Sequence, residues 1–130
     1  MEGKSNTSNV LPEELSEKIQ LRLNKALIEN KLYLHQDLCM HQLAKEINTN
    51  TSYLSRTIKR TYNTNFTALL NALRINEAKA LLADPKYGSY TINAISQECG
   101  YKNKSTFYKA FKKITGLEPY KYRKQMKQYN

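Results

Sequence analysis

The sequence predicts an all-α fold, built as two helix-turn-helix subdomains joined by a long connecting helix. Three observations lead there. Apolar residues recur at helical spacing, capping and stopping residues punctuate the chain at short intervals, and the second half of the chain repeats the first. The expected division is a disordered leader over 1–11, a first subdomain over 12–66, the connecting helix over 67–83 and a second subdomain over 84–130.

Each element has its own signal. The first helix is expected from Pro12, which suits an opening turn, with Glu13 and Glu14 near the positive helix end. Leu15, Ile19, Leu23 and Leu27 draw an apolar stripe as far as Asn30. After the connector KLYLHQDL a short helix is expected at about Met40–Ile47, then a turn at Asn48–Asn50. TSYLSRTIKRTY follows as a helix capped by the Asn50 side chain and ended by Asn63 in the left-handed conformation. The helix over 67–83 has two apolar faces: Phe66, Leu69, Leu70, Leu73 and Leu81 on one, Ala72, Ile75, Ala78 and Leu82 on the other. Asp84-Pro85 stops it, and a loop runs to Tyr90. Thr91 caps a short helix to about Cys99; a turn over Gly100–Asn103, a helix over Lys104–Thr115, a stop at Gly116 and a last helix from Pro119 complete the chain.

The repeat ties these elements together. Leu43 and Ile47 match Ile95 and Cys99 at an offset of 52, and after the turn the offset is 53. Asn50 then matches Asn103, Leu54 matches Phe107, Arg56 matches Lys109, Ile58 matches Phe111, and Asn63 matches Gly116. Caps, stops, core positions and charges thus recur in one order, with one extra residue in the second turn.

Charge is segregated along the chain. Residues 1–50 hold six Lys/Arg against seven Asp/Glu, and residues 51–130 hold fifteen against four. A polyanion partner follows from that asymmetry. Cys39 and Cys99 lack the spacing of a zinc site or a disulfide frame, and His35, Cys39 and His41 lack a fourth ligand, so no metal is expected. No pairing of nucleophile and base suggests an enzyme, and no cofactor is expected. The sequence has neither a membrane-length apolar run nor a hydrophobic signal core, so the cytoplasm is the expected location.

On a wheel of about 100° per residue the second helix of each repeat has two faces. Leu54, Thr57, Ile58 and Thr61 face inward opposite Ser52, Ser55, Arg56 and Lys59. Phe107, Ala110, Phe111 and Ile114 face inward opposite Ser105, Tyr108, Lys109 and Lys112. Hydroxyls and cations of the outward kind suit base edges in a major groove, and cations on the flanks suit phosphates. The expected phosphate contacts are Asn50, Lys59, Arg60, Asn103, Lys112, Lys113, Lys121 and Arg123.

The stretch TINAISQECGYKNKSTFYKAFKKITGLEPYKYR resembles the C-terminal signature of the AraC/XylS family of bacterial transcription regulators. Gly100-Tyr101, Phe107, Phe111, Gly116, Pro119 and Tyr122-Arg123 fall at that signature's spacing, and the likeness extends back through Leu81-Leu82, Ala78 and Arg74 to about Leu38. Thr51, Ile58, Leu69 and Ser96 depart from a proline, an aromatic, a tyrosine and an alanine frequent there. The resemblance implies sequence-specific binding of double-stranded DNA, with both reading helices in successive major grooves of one duplex face. Carried over by position, it implies base contact at Ser52, Ser55, Arg56, Lys104, Ser105, Tyr108 and Lys109, and a structural Arg74 for which Glu77 is a candidate partner. This stretch is expected to be monomeric, and its polar leader favours an output domain of a larger regulator. Two other readings stay open. One is an architectural binder indifferent to sequence; the other is a module that docks on a partner such as RNA polymerase through the first helix stripe.

Overall fold

The computed structural model describes residues 12–129, so the leader expected over 1–11 lies outside the described residues. Among the described residues every regular element is a helix. The chain forms two compact units. Of the described residues, one unit comprises those up to Leu32 together with Leu38–Phe66, and the other comprises Tyr33–Asp37 together with those from Thr67 onward.

In the first unit, α1 (Glu13–Leu23) starts behind Pro12 with two carboxylates in its first turn, where the helix dipole favours them. It runs on as a wider π-helical stretch, Asn24–Glu29, and Lys31 takes a positive φ of 54° beyond it. Ile19, Leu23 and Leu27 are fully buried and Leu15 half-buried. Burying such side chains contributes about 1.5–3 kcal/mol each. The stripe is therefore internal packing, which removes it as the surface expected to dock a partner such as RNA polymerase. α2 (Met40–Glu46) is too short to persist alone; it buries Leu43 and Ala44 and packs on α3 (Thr51–Tyr62), as does α1. Arg22 donates from Nη1 to the Ile47 carbonyl at 3.0 Å, meeting an acceptor that the end of α2 leaves open.

In the second unit, α4 (Phe66–Ala83) lays Ile75, Ala78 and Leu82 against Ile95, Cys99, Tyr101, Phe107, Ala110 and Phe111. α5 (Ile92–Glu98), α6 (Lys104–Thr115) and α7 (Pro119–Tyr129) complete the unit. Two assignments of the α4 wheel are corrected: Leu81 packs on the same cluster as Ile75, and Ala72 is exposed. A wheel ranks directions but does not know how far round the helix its neighbours wrap. Ile114, placed inward by the same reasoning, is 48% exposed, because it lies at the last turn of α6. Aromatic rings do much of the packing, with Phe107 5.4 Å from Tyr101 and 5.7 Å from Phe111, and Phe111 5.5 Å from Tyr122.

The segment Tyr33–Asp37, which in sequence separates α1 from α2, is part of this second unit. Buried Arg74 holds it, donating from Nε to the Tyr33 carbonyl at 2.6 Å and from Nη2 to the His35 carbonyl at 2.7 Å. Glu77 accepts from the Tyr33 hydroxyl at 3.3 Å. Burial draws the Arg74 guanidinium below its ordinary range and pushes the Tyr33 and Tyr101 hydroxyls and the Cys99 thiol each up to about 12. Cys99 is thus a protonated core residue rather than a reactive thiol.

Candidate nucleic-acid interface

Both repeats build the start of their second helix in the same way. After α2, Asn48 adopts φ 60°; its N–H reaches the Lys45 carbonyl at 3.1 Å, and the Thr49 N–H reaches that of Ala44 at 2.8 Å. After α5, Gly100 adopts φ 97°; its N–H reaches the Gln97 carbonyl and the Tyr101 N–H that of Ser96, both at 3.0 Å. These paired bonds satisfy carbonyls that a helix end leaves open, and they turn the chain sharply. An asparagine cap then starts the next helix. Asn50 Oδ1 accepts from the Tyr53 N–H at 2.7 Å, and Asn103 Oδ1 from the Ser105 and Thr106 N–H groups at 2.8 and 3.3 Å. The stops also match, with Asn63 at φ 54° and Gly116 at φ 82°. The extra residue of the second turn is Lys102, between Gly100 and the Asn103 cap.

On α3 the residues singled out from sequence share one side, opposite buried Leu54, Thr57 and Ile58. Ser52, Ser55 and Lys59 are exposed and Arg56 is half-buried. Arg60 is exposed, with Nη1 donating to Ser16 Oγ at 3.2 Å. On α6, Lys104, Ser105, Lys109, Lys112 and Lys113 are exposed, opposite buried Phe107, Ala110 and Phe111. Tyr108 is half-buried on the rim of the core, and Lys104 Nζ lies 5.6 Å from the centre of its ring. Lys112 stands 3.8 Å from Glu118, an exposed pair of little energetic weight. Each helix therefore presents exposed hydroxyls and lysines, with Arg56 on α3 and Tyr108 on α6 partly withdrawn from water.

The residues expected on α7 divide. Lys121 is exposed, whereas Arg123 donates from Nη1 to the Tyr90 carbonyl at 2.7 Å and from Nη2 to the Tyr87 carbonyl at 2.6 Å. Those bonds fasten α7 to the loop between α4 and α5 and occupy both terminal nitrogens that a phosphate would use. Sequence reasoning passed over a polar cleft of about 500 Å³ in the first unit, lined by His41, Lys45, Asn48, Thr49, Asn50 and Thr51. The spacing of His41 and Lys45 on one side of α2, with Asn48 just beyond its end, was its available signal.

A helical chain whose two exposed, hydroxyl- and cation-rich helices each follow a tight turn and an asparagine cap is a double helix-turn-helix DNA-binding domain. The family described as "Helix-turn-helix domain" matches residues 43–125. The chain belongs to this family, in its AraC/XylS type, and its function is sequence-specific DNA binding in transcription regulation. It is 36% identical over 90 residues to the raffinose operon transcriptional regulatory protein of Pediococcus pentosaceus, covering 69% of this chain and 30% of that protein. It is 30% identical over 93 residues to the melibiose operon regulatory protein of Escherichia coli K12, covering 72% of this chain and 30% of that protein. The chain thus spans under a third of the length of either regulator. Among solved structures, the C-terminal domain of the response regulator AraT from Geobacillus stearothermophilus is 31% identical with a TM-score of 0.73, covering 82% of this chain and 84% of that one. Among the described residues no helix is long and apolar enough to cross a membrane.

Proposed function

We propose that α3 and α6 are two readers carried by one chain, each laid in a major groove, on successive grooves of one asymmetric duplex site. The observation that carries this reading is the pair of matched outward faces, Ser52, Ser55 and Arg56 on α3 and Ser105, Tyr108 and Lys109 on α6, each behind the same helix stop and asparagine cap. Arginine forks onto guanine edges, lysine meets the same acceptors singly, and hydroxyls bond to either base. Lys104 joins the α6 set. Asn50, Lys59, Arg60, Asn103, Lys112, Lys113 and Lys121 take phosphates, which position the helices without specifying sequence. Arg123 is left to its role in holding α7. Two repeats in tandem within one chain, rather than one repeat in each of two chains, favour an asymmetric site over a palindrome.

The test begins with selection of bound duplexes from a random pool. Five base pairs are then inserted between the halves of the selected site, which turns one half to the opposite face of the duplex. The expected result is loss of the second half's contribution to affinity. Unchanged affinity would mean that a single helix reads, and equal affinity for every duplex at one salt concentration would favour an architectural binder.

A further inference from the structure

We infer that Arg74 is a positioning residue for the second reader: through the strap Tyr33–Asp37 it fixes the turn Gly100–Lys102 from which α6 starts. This inference rests on α6 reading bases as proposed above. Arg74 itself is buried and places its guanidinium on the carbonyls of Tyr33 and His35. Two charge-assisted bonds from one planar group set both the position and the direction of the strap backbone.

The strap in turn holds the turn, residue by residue. Gly100 lets it come close: a β-carbon there would stand 2.8 Å from Arg74 Nε and 3.0 Å from the carbonyl oxygens of Tyr33 and Leu34. Gln36 Nε2 donates to the Tyr101 carbonyl at 3.4 Å, and Asp37 forms an ion pair with Lys102. Lys102 is the one residue by which the second turn exceeds the first, so the insertion supplies the strap's partner. The Tyr101 side chain is held as well: its hydroxyl donates to Asn71 Oδ1 at 2.6 Å, the Arg74 guanidinium lies 5.5 Å from its ring, and the ring meets Phe107 of α6 edge-on. The next residue, Asn103, caps the reader. With residues 100–102 each held, the first turn of α6, carrying Lys104 and Ser105, takes its direction from the strap.

Two variants test this in the whole chain. Arg74→Lys keeps the charge, but one ammonium cannot span two carbonyls as the planar fork does. Gln36→Ala with Asp37→Asn removes one part-buried hydrogen bond and one exposed ion pair between strap and turn and leaves Arg74 in place, so it stays informative if the buried change unfolds the chain. Amide hydrogen exchange is followed at Ser105 and Thr106 in the free protein. Affinity is measured on the selected duplex and on one whose Lys109-sensitive half is scrambled. Both variants are expected to speed exchange at these amides and to weaken the intact site about three- to tenfold, the scale of one ordinary hydrogen bond, while leaving the scrambled duplex unaffected. Equal weakening on both duplexes, or unchanged exchange and affinity, overturns the positioning role. If Lys109→Ala alters no base preference in the parent chain, reading by α6 is what has failed, and this inference falls with it.

Discussion

The two helix-turn-helix units share a backbone plan and differ in what fills it. Behind α3 the buried positions are Leu54, Thr57 and Ile58; behind α6 they are Phe107, Ala110 and Phe111. The helix stop is Asn48 in one and Gly100 in the other, at φ 60° and 97°. The first turn runs straight into its cap, while the second carries Lys102 and lies under the strap. The comparison teaches that stops and caps, being local hydrogen bonding, can be kept while the core is changed from aliphatic to aromatic. A close backbone approach, by contrast, narrows a position to glycine.

The largest test of this difference is in the cores. Phe107→Ala should cost about 3–5 kcal/mol and Leu54→Ala about 2–5 kcal/mol, since each removes a fully buried side chain and leaves a cavity. Denaturant melts give the totals, and thiol labelling locates the loss: exposed Cys39 should react in the native state, buried Cys99 only when the second unit opens. Phe107→Ala should quicken labelling at Cys99 more than Leu54→Ala does; the reverse order would contradict a separate second core.

The stops should part next. Gly100→Ala meets backbone carbonyls and Arg74 at a positive φ, so it should lose roughly 1–3 kcal/mol. Asn48→Gly only relaxes a left-handed asparagine and should shift stability by less than about 1 kcal/mol. Similar melting shifts for the two would show that the strap does not crowd Gly100.

On DNA the readers should separate by position. Arg56→Ala and Lys109→Ala should each cost about 1–3 kcal/mol on the selected site and relax choice at one or two base pairs, in different halves. Loss spread evenly over all sequences would make either residue a phosphate anchor. The smallest effect is expected at the flanks, where Lys59→Ala or Lys112→Ala should flatten the slope of log K against log salt by about one and leave sequence preference intact. A parent slope near −1 would remove phosphate contact as the main source of affinity.

What was legible in the sequence follows the range of the forces. Asn50, Thr91 and Asn103 announce helix starts because an oxygen one or two bonds from Cβ reaches only N–H groups two or three residues on. Asn63 and Gly116 announce ends because few residues tolerate a left-handed backbone. The outward sides of α3 and α6 were readable since a helix turns by a constant angle and each reader is packed on one side only. The tertiary structure alone decided where exposure stops, as at Ile114 and Ala72, and how Leu81 packs. It also decided how long side chains are used: Arg123 resembles a phosphate contact in sequence and is fastened to the carbonyls of residues 87 and 90. The strap was the least legible feature of all. KLYLHQDL has no periodicity of its own, and its place is set by Arg74, about forty residues later, because carbonyls carry no sequence signal and any backbone brought within reach of a buried guanidinium can serve.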